Sequence, residues 1–168
     1  SDRLYLPMRQ LVRKELSEMP KEGQAVYKLV KGREADLAYR RAMTGGNFEA
    51  LKSVANNYPC LPAAPRSLYL LGEWSRARGE PGKALYFWQQ LMAEYPDWEE
   101  GSRAAVLTRA AMVAAESGRV ADGNRLLGVL KKTGGLTRLR VGAREELVAG
   151  LLAAAGVGSA VLVPVGMK

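Results

Sequence analysis

The chain has 168 residues, 48% apolar and 25% charged, which is the composition of a folded globular protein and excludes a disordered one. Without histidine and with the single Cys60, it cannot form an internal disulfide, a zinc site or a nucleophile with a histidine base. We therefore expect no enzyme activity, metal or cofactor in this chain. Alanine, leucine, arginine and glutamate dominate and isoleucine is absent, which predicts an all-α fold.

The first third of the chain predicts short helices separated by proline and glycine. An apolar pattern over residues 7–18 predicts an amphipathic helix. Residues 23–43 carry a helical pattern interrupted near Gly32, so they form either one long helix or two short ones. A turn follows, and Asn47 is the predicted N-cap of a helix over Phe48–Asn57.

Two helices joined by a tight turn are predicted over residues 66–96. Gly79 ends the first helix, Pro81 fits the first turn of the second, and Pro96 ends it. The apolar residues of the second helix recur on one face. They are Ala84, Leu85, Trp88, Leu91 and Met92.

This helical hairpin resembles a tetratricopeptide repeat. Such a repeat has leucine then glycine early in its first helix, alanine in the middle of its second and proline at its end. Those positions are occupied here by Leu71, Gly72, Ala84 and Pro96. Leu68 and Ser75 depart from the pattern, since tryptophan and tyrosine are usual there. The resemblance implies an antiparallel helical-hairpin array, an α-solenoid, in which the first helix of each hairpin lines a concave groove.

Weaker echoes of the hairpin precede and follow it. Gly46 and Gly118 correspond to its turn glycine, and Tyr58-Pro59 echoes the Tyr95-Pro96 pair at its end. The predicted repeats therefore number about three, the number that helical stacks need to bury a continuous core.

Three further helices are predicted in the second half. Asp97 is expected to cap a helix that continues to Ser117, Val120–Lys132 follows, and residues 137–155 form the last. The predicted organisation is N-terminal helices over 1–45, repeats over 46–156 and an extended tail over 157–168.

The C-terminal residues raise the question of a membrane span. Residues 147–165 carry no charge and are long enough to cross a bilayer, but their glycines and proline break a helix, so we predict no span. The tail over 157–168 is interpreted as the start of a following domain. Because the sequence begins at Ser1 without a methionine, we expect it to be a piece of a longer protein.

Two candidate surfaces follow from these predicted helices. The repeat register places six side chains toward the groove. They are Arg66, Tyr69, Glu73, Arg76, Thr108 and Met112. A groove of mixed polarity suits an extended peptide or a partner's helix, so the expected partner is a protein or an adjoining domain of the same chain.

A basic patch gives the alternative function, binding of nucleic acid or another polyanion. The net charge is +8, and Arg138, Arg140 and Arg144 are predicted to lie partly on one side of the last helix. The aromatic residues that would stack on bases cluster elsewhere in the chain, which disfavours this alternative.

A second family resemblance rests on the N-terminal segment over residues 8–27, with its element Pro20-x-Glu22-Gly23-x-x-x-Tyr27. Together with the helices that follow, it is similar to the helical N-terminal region of exported bacterial proteins, common in planctomycetes, that carry a propeller of pyrroloquinoline-quinone-type repeats. The resemblance implies an extracytoplasmic (periplasmic or secreted) scaffold. The predicted function is thus protein–protein interaction or scaffolding within a larger protein, with a helical accessory domain of a larger enzyme as a further alternative.

Overall fold

The computed structural model describes residues 8–98, 103–132, 138–141 and 144–147. Helices account for every regular element up to Lys132, as the composition predicts, and two short strands follow. In chain order these elements are α1 (Met8–Glu18), α2 (Lys21–Thr44), α3 (Phe48–Asn57), α4 (Ala63–Ala77), α5 (Pro81–Glu94), α6 (Arg103–Glu116), α7 (Val120–Lys132), β1 (Arg138–Val141) and β2 (Arg144–Leu147).

The chain forms two compact units, Ser1–Leu71 and Gly72–Lys168, and the division falls inside α4. In the first unit α2 packs against α3, and in the second unit α6 packs against both α5 and α7. Each unit has its own buried apolar residues, so each is described by itself below.

The interrupted pattern in the first unit proves to be one helix, α2, of 24 residues. Gly32 lies within it, and a Cβ atom at that position would meet nothing within 4 Å. Glycine costs a helix about 1 kcal/mol relative to alanine, which a helix of this length tolerates.

The core of the first unit is small. Ala35 of α2 packs with Val54 of α3 and with Leu61, and tyrosines close the edge of this cluster. The Tyr27 hydroxyl donates to the Pro59 carbonyl at 3.2 Å. α2 thus contributes two alanines, Ala35 and Ala38, and two tyrosines, Tyr27 and Tyr39, to this small core.

Three turns between helices in the described residues have the same structure. Gly46, Gly79 and Gly118 have φ values of 61°, 71° and 74°, which a residue without Cβ adopts readily. In each turn the glycine N–H donates to the carbonyl three residues earlier, and the next N–H donates to the carbonyl five residues earlier. This is the Schellman arrangement that ends a helix.

The Tyr-Pro pairs also repeat a conformation. Tyr58 ends α3 with φ −123° and ψ 53°, and Tyr95 ends α5 with φ −130° and ψ 66°. The N–H of each tyrosine donates to the carbonyl four residues earlier, and the proline that follows cannot extend the helix. The echoes in the sequence therefore correspond to repeated local structure at turns and helix ends.

The second unit has a larger core, and α6 lies at its centre. Seven of its residues are buried: Val106, Leu107, Thr108, Ala110, Ala111, Val113 and Ala114. Trp88 of α5 is fully buried and lies over Gly72. A Cβ atom at Gly72 would fall 2.2 Å from Trp88 Nε1, so this position requires glycine.

The predicted cap at Asp97 is wrong. Asp97 lies in a turn in which the Trp98 N–H donates to the Tyr95 carbonyl at 3.2 Å, and Trp98 is not helical. α6 is described from Arg103, and residues 99–102 lie outside the described residues. The proline at position 96 favours a turn here, and its signal competes with the capping signal of the aspartate.

The helix predicted over residues 137–155 is wrong where it is described. β1 pairs with β2 in antiparallel register, with Val141 opposite Arg144. A glycine at position 142 would weaken a helix interior by about 1 kcal/mol. The apolar and basic residues of β1 alternate with the period of a strand, and that pattern was the better guide.

The rest of the predicted last helix and the tail over 157–168 lie outside the described residues. The uncharged stretch over 147–165 also lies outside the described residues, except for Leu147. In the part of the chain that the structure describes, no helix combines the length and the apolar character needed to cross a membrane.

Candidate functional site

The predicted groove residues fall in both units. Arg66 and Tyr69 belong to the first unit, and the other four belong to the second. Both side chains in the first unit are half-buried, and Arg66 Nη1 lies 3.5 Å from Asp36 Oδ1 of α2. That contact holds Arg66 against its own unit.

In the second unit, Glu73 and Arg109 form an ion pair. Arg109 Nη1 donates to Glu73 Oε1 at 2.8 Å, and both side chains are largely buried. Burial raises the pKa of Glu73, an effect that the positive charge of Arg76 opposes. Arg76 itself is exposed and therefore accessible to a partner.

The predicted assignment of Thr108 to the groove is wrong. Its side chain has no exposed surface, and its hydroxyl donates to the Ala104 carbonyl at 2.8 Å. A threonine within a helix commonly satisfies its hydroxyl on the preceding turn in this way. Met112 is half-buried. Because α6 is packed on most of its circumference, little of this helix can face a ligand.

The predicted polyanion patch has a different backbone from the one expected. Arg138 and Arg140 lie on β1 and Arg144 lies on β2, so the helix face that was to carry the three arginines is not there. In the strand register Arg140 is opposite Glu145, and Arg144 is opposite Val141.

The most conspicuous surface feature in the described residues is a stripe of large apolar side chains on α2. It consists of Val26, Leu29, Val30 and Leu37, which are 59%, 82%, 63% and 45% exposed. The name "α2 stripe" is used for these four residues below. Exposed apolar side chains are common singly, but four aligned on three turns of one helix indicate a contact surface.

Helix geometry explains why these residues share a face. Successive residues turn by about 100°, so Leu37 lies about 20° from Val26 around the helix axis. Ala35, nine residues after Val26, lies on the opposite side, where α2 packs on the core. The helix thus has two apolar faces, and α3 accounts for the packing of one of them.

Charged residues of both signs lie within and beside the α2 stripe. Arg33 lies about 20° from Val26 around the helix axis, between Val30 and Leu37 along the helix. Asp36 and Glu34 lie about 80° from Val26 on either side, and Arg40 Nη2 is 3.0 Å from Asp36 Oδ2. The stripe therefore has no predominant charge at its border.

A cleft of about 570 Å³ lies between the C-terminal half of α2 and α3. Small apolar residues form much of its surface, and Arg41, two asparagines, a serine and a tyrosine supply its polar groups. The lining residues are Ala38, Arg41, Ala42, Gly45, Asn47, Ala50, Ser53, Val54, Asn57 and Tyr58. The Asn47 side chain already accepts the Ala50 N–H at 2.9 Å, so it is committed to capping α3.

Residue chemistry offers little for catalysis in the described part of the chain. No group of three His, Cys, Asp or Glu side chains there could hold a metal ion. Cys60 is half-buried and burial raises its pKa, so its thiol is protonated and a poor nucleophile.

Sequence reasoning missed the α2 stripe because it took the apolar residues over 23–43 as one helical pattern and did not divide them by face. The signal was present: Val26 and Leu37 lie on one side of a helical projection, and Ala35 and Ala42 lie on the other. Comparison of the chain with protein-family models, with curated proteins and with solved structures found no match. Both family resemblances therefore stay predictions, and function is inferred from the residues described above.

Proposed function

We propose that the chain is a protein–protein interaction or scaffold domain of a larger protein, and that the α2 stripe is its contact surface. The observation that carries this proposal is the exposure of Val26, Leu29, Val30 and Leu37 on one face of one helix. Full burial of a valine or leucine side chain stabilises a structure by about 1.5–3 kcal/mol. Because Leu29 is largely exposed, most of this free energy would be gained only when a partner covers it.

The dimensions of the stripe suit a helical segment of a partner. From Val26 to Leu37 the helix rises about 16 Å, which is three turns. A partner helix that lays an apolar face along such a stripe makes contacts at successive turns. An extended strand would need an open sheet edge for its backbone hydrogen bonds, which a helix face does not supply.

Arg76 of the second unit is proposed as a second, weaker contact, because its side chain is exposed. If a peptide binds there, Arg76→Ala will weaken its binding and leave binding at α2 unchanged. Titration of one partner against Arg76→Ala and against a variant of the α2 stripe separates the two surfaces.

The test of the proposal is capture of partners by the tagged chain and by a variant that places a charge on the stripe. Leu29→Glu adds one negative charge at the most exposed position of the stripe. Ala93→Glu adds the same charge at an exposed position of α5 and is the matched control. Capture is measured at low and moderate salt, with and without nuclease, and read by mass spectrometry.

Proteins that the wild-type chain and Ala93→Glu retain, and that Leu29→Glu loses, would support the proposal. The same proteins on all three baits would show that the stripe is not the contact surface. Binding that disappears with nuclease would instead support the polyanion alternative, since phosphate contacts depend on nucleic acid and on salt.

A further inference from the structure

We propose that the cleft between α2 and α3 binds an organic acid, a small molecule with an aliphatic body and one carboxylate that pairs with Arg41. The cleft is separate from the α2 stripe, and its assignment goes beyond the proposed function. The basis is the size of the cleft together with the charge and the hydrogen-bonding groups of the residues that line it.

The cleft has the size and the surface of a small-molecule site. Its volume of about 570 Å³ falls within the range of about 300–1,000 Å³ that such sites occupy. Asn47 precedes α3 and Asn57 is its last residue, so the helix rises about 15 Å from one to the other. Alanines of both helices and the buried Val54 supply an apolar wall along this length.

The charge of the cleft comes from one side chain. Among the residues that line it, Arg41 alone is charged. No ion pair in the described part of the chain involves Arg41, and its side chain is exposed, so its guanidinium group is accessible to a ligand. A single negative charge on the ligand would balance it.

Two acids neighbour the cleft without lining it, and each already has a cation. Glu34 of α2 accepts hydrogen bonds from Lys31 Nζ and from the Tyr58 hydroxyl, each at 2.8 Å. Glu49 of α3 lies 3.8 Å from Lys52 Nζ. Each of these acids is therefore balanced by its own lysine, and the arginine of the cleft keeps its charge for a ligand.

The uncharged polar groups of the cleft favour a ligand that accepts hydrogen bonds. The Asn47 side-chain oxygen accepts the Ala50 N–H, so the amide nitrogen of Asn47 is left to donate. Ser53 and Asn57 can each add a donor, and a guanidinium group donates from its N–H groups and accepts nothing. A carboxylate only accepts, and it pairs with a guanidinium group in a bidentate manner. It therefore matches this set of groups.

Other small ligands fit the cleft less well. A cation would meet the arginine as a like charge, which raises the free energy of the complex. A phosphate group carries about two negative charges at neutral pH and would meet a single cation here. An inorganic anion would also leave the apolar wall uncovered. The cleft thus favours one carboxylate joined to an apolar body.

The experiment measures binding of three eight-carbon probes to the full chain, followed by amide signals in proton–nitrogen NMR spectra. Octanoate carries a carboxylate, octan-1-ol is neutral, and octylammonium carries the opposite charge on the same aliphatic body. Octanoate is expected to bind about tenfold more tightly than octan-1-ol and to shift the signals of Gly45, Ala50 and Ser53. Octylammonium is expected to bind more weakly than octan-1-ol.

Variants of the chain locate the carboxylate. Arg41→Gln removes the charge and should lower the affinity for octanoate to that for octan-1-ol, which should itself change little. Arg33→Gln makes the same change at an exposed arginine of α2 on the side of the stripe, and it is the matched control. Ala50→Leu fills part of the cleft without changing the charge and should weaken both octanoate and octan-1-ol. Circular dichroism of each variant verifies that the helices are retained.

Several outcomes would overturn the proposal. If octanoate and octylammonium bind equally, Arg41 does not select the charge of the ligand. If Arg33→Gln weakens octanoate as much as Arg41→Gln does, or if Ala50→Leu leaves its binding unchanged, the acid binds outside the cleft. If no probe shifts the signals of the cleft, then the cleft is not a site for an organic acid. None of these results bears on the proposed function, which Leu29→Glu tests separately.

Discussion

Two helices, α2 of the first unit and α6 of the second, show opposite uses of apolar residues. α2 has 24 residues and fully buries two of them, Ala35 and Ala42. α6 has 14 residues and buries seven. The two sequences differ in composition as well, since nine of the 24 residues of α2 are charged, whereas nine of the 14 residues of α6 are alanine, valine or leucine.

The neighbours of each helix also differ. α6 contacts α5 on one side and α7 on the other, so apolar residues around most of its circumference are covered. α2 packs on α3 along one face, and its second apolar face remains exposed. A helix that is apolar on several sides is therefore stabilised fully only where neighbours exist, and where they do not, it offers a binding surface.

Two leucine truncations give the largest expected contrast. Leu107→Ala in α6 removes a side chain that is 2% exposed, and we expect the free energy of unfolding to fall by about 2–5 kcal/mol. Leu29→Ala in α2 removes a side chain that is 82% exposed, and the expected change is within about 0.5 kcal/mol. Urea unfolding followed by circular dichroism measures both. A comparable loss at Leu29 would mean that the stripe is covered within the chain.

Alanine substitutions at two helical glycines of the second unit give the next contrast. Gly72→Ala would place a Cβ against the Trp88 ring, and overpacking of this kind costs about 1–3 kcal/mol. Gly128→Ala in α7 meets nothing within 4 Å, so its better helix propensity should stabilise the unit by about 0.5–1 kcal/mol. Thermal unfolding of the two variants should shift in opposite directions. A neutral Gly72→Ala would show that Trp88 can move aside.

Helix ends were predictable from the sequence because their signals are local. The bounds of α3 and α7 agree with the prediction to the residue, since Asn47, Gly118 and the Tyr58-Pro59 pair act on their immediate neighbours. Trp88 as a core residue was predictable as well, because its position on the repeated face of α5 follows from spacing alone.

Burial at a distance was much less predictable. Thr108 was assigned to a groove, but the packing of α5 and α7 around α6 leaves no groove there. The α2 stripe was not predicted, because spacing shows that a residue is on a face and not whether a neighbour covers it. At Asp97 and at β1, two local signals competed, and the prediction followed the weaker one.

Helix capping tests the same contrast between units with a smaller effect. The Asn47 side chain accepts the Ala50 N–H at the start of α3, so Asn47→Ala should cost about 1 kcal/mol. Glu80 occupies the corresponding position before α5 but makes no such bond, and its ion pair with Lys83 is on the surface. We therefore expect Glu80→Ala to change stability by less than about 0.5 kcal/mol, measured by the same urea unfolding. An equal loss in both variants would indicate that the side-chain hydrogen bond of Asn47 contributes no more to stability than Glu80 does without one.

The smallest expected effect is on the protonation of two carboxyl groups. Glu34 of α2 accepts hydrogen bonds from Lys31 Nζ and the Tyr58 hydroxyl, each at 2.8 Å, and these donors lower its pKa below the ordinary 4.5. Glu73, beside Arg109 in the second unit, is largely buried, and burial raises its pKa. Carbon-13 NMR titration should therefore find Glu34 ionising at lower pH than Glu73.

Linkage gives the sign of the effect of Glu34 on stability. Because its pKa is lower in the folded chain than in the unfolded one, its contribution is present above pH 4.5 and is lost as the pH falls through the folded value. Tyr58→Phe removes one donor and should raise the pKa of Glu34 part of the way, while Lys31→Met removes the larger cause and should raise it further. If Tyr58→Phe leaves the titration of Glu34 unchanged, then the phenol does not stabilise the carboxylate. In that case Tyr58 contributes to the edge of the first core by packing alone, while the Tyr27 hydroxyl still donates to the Pro59 carbonyl.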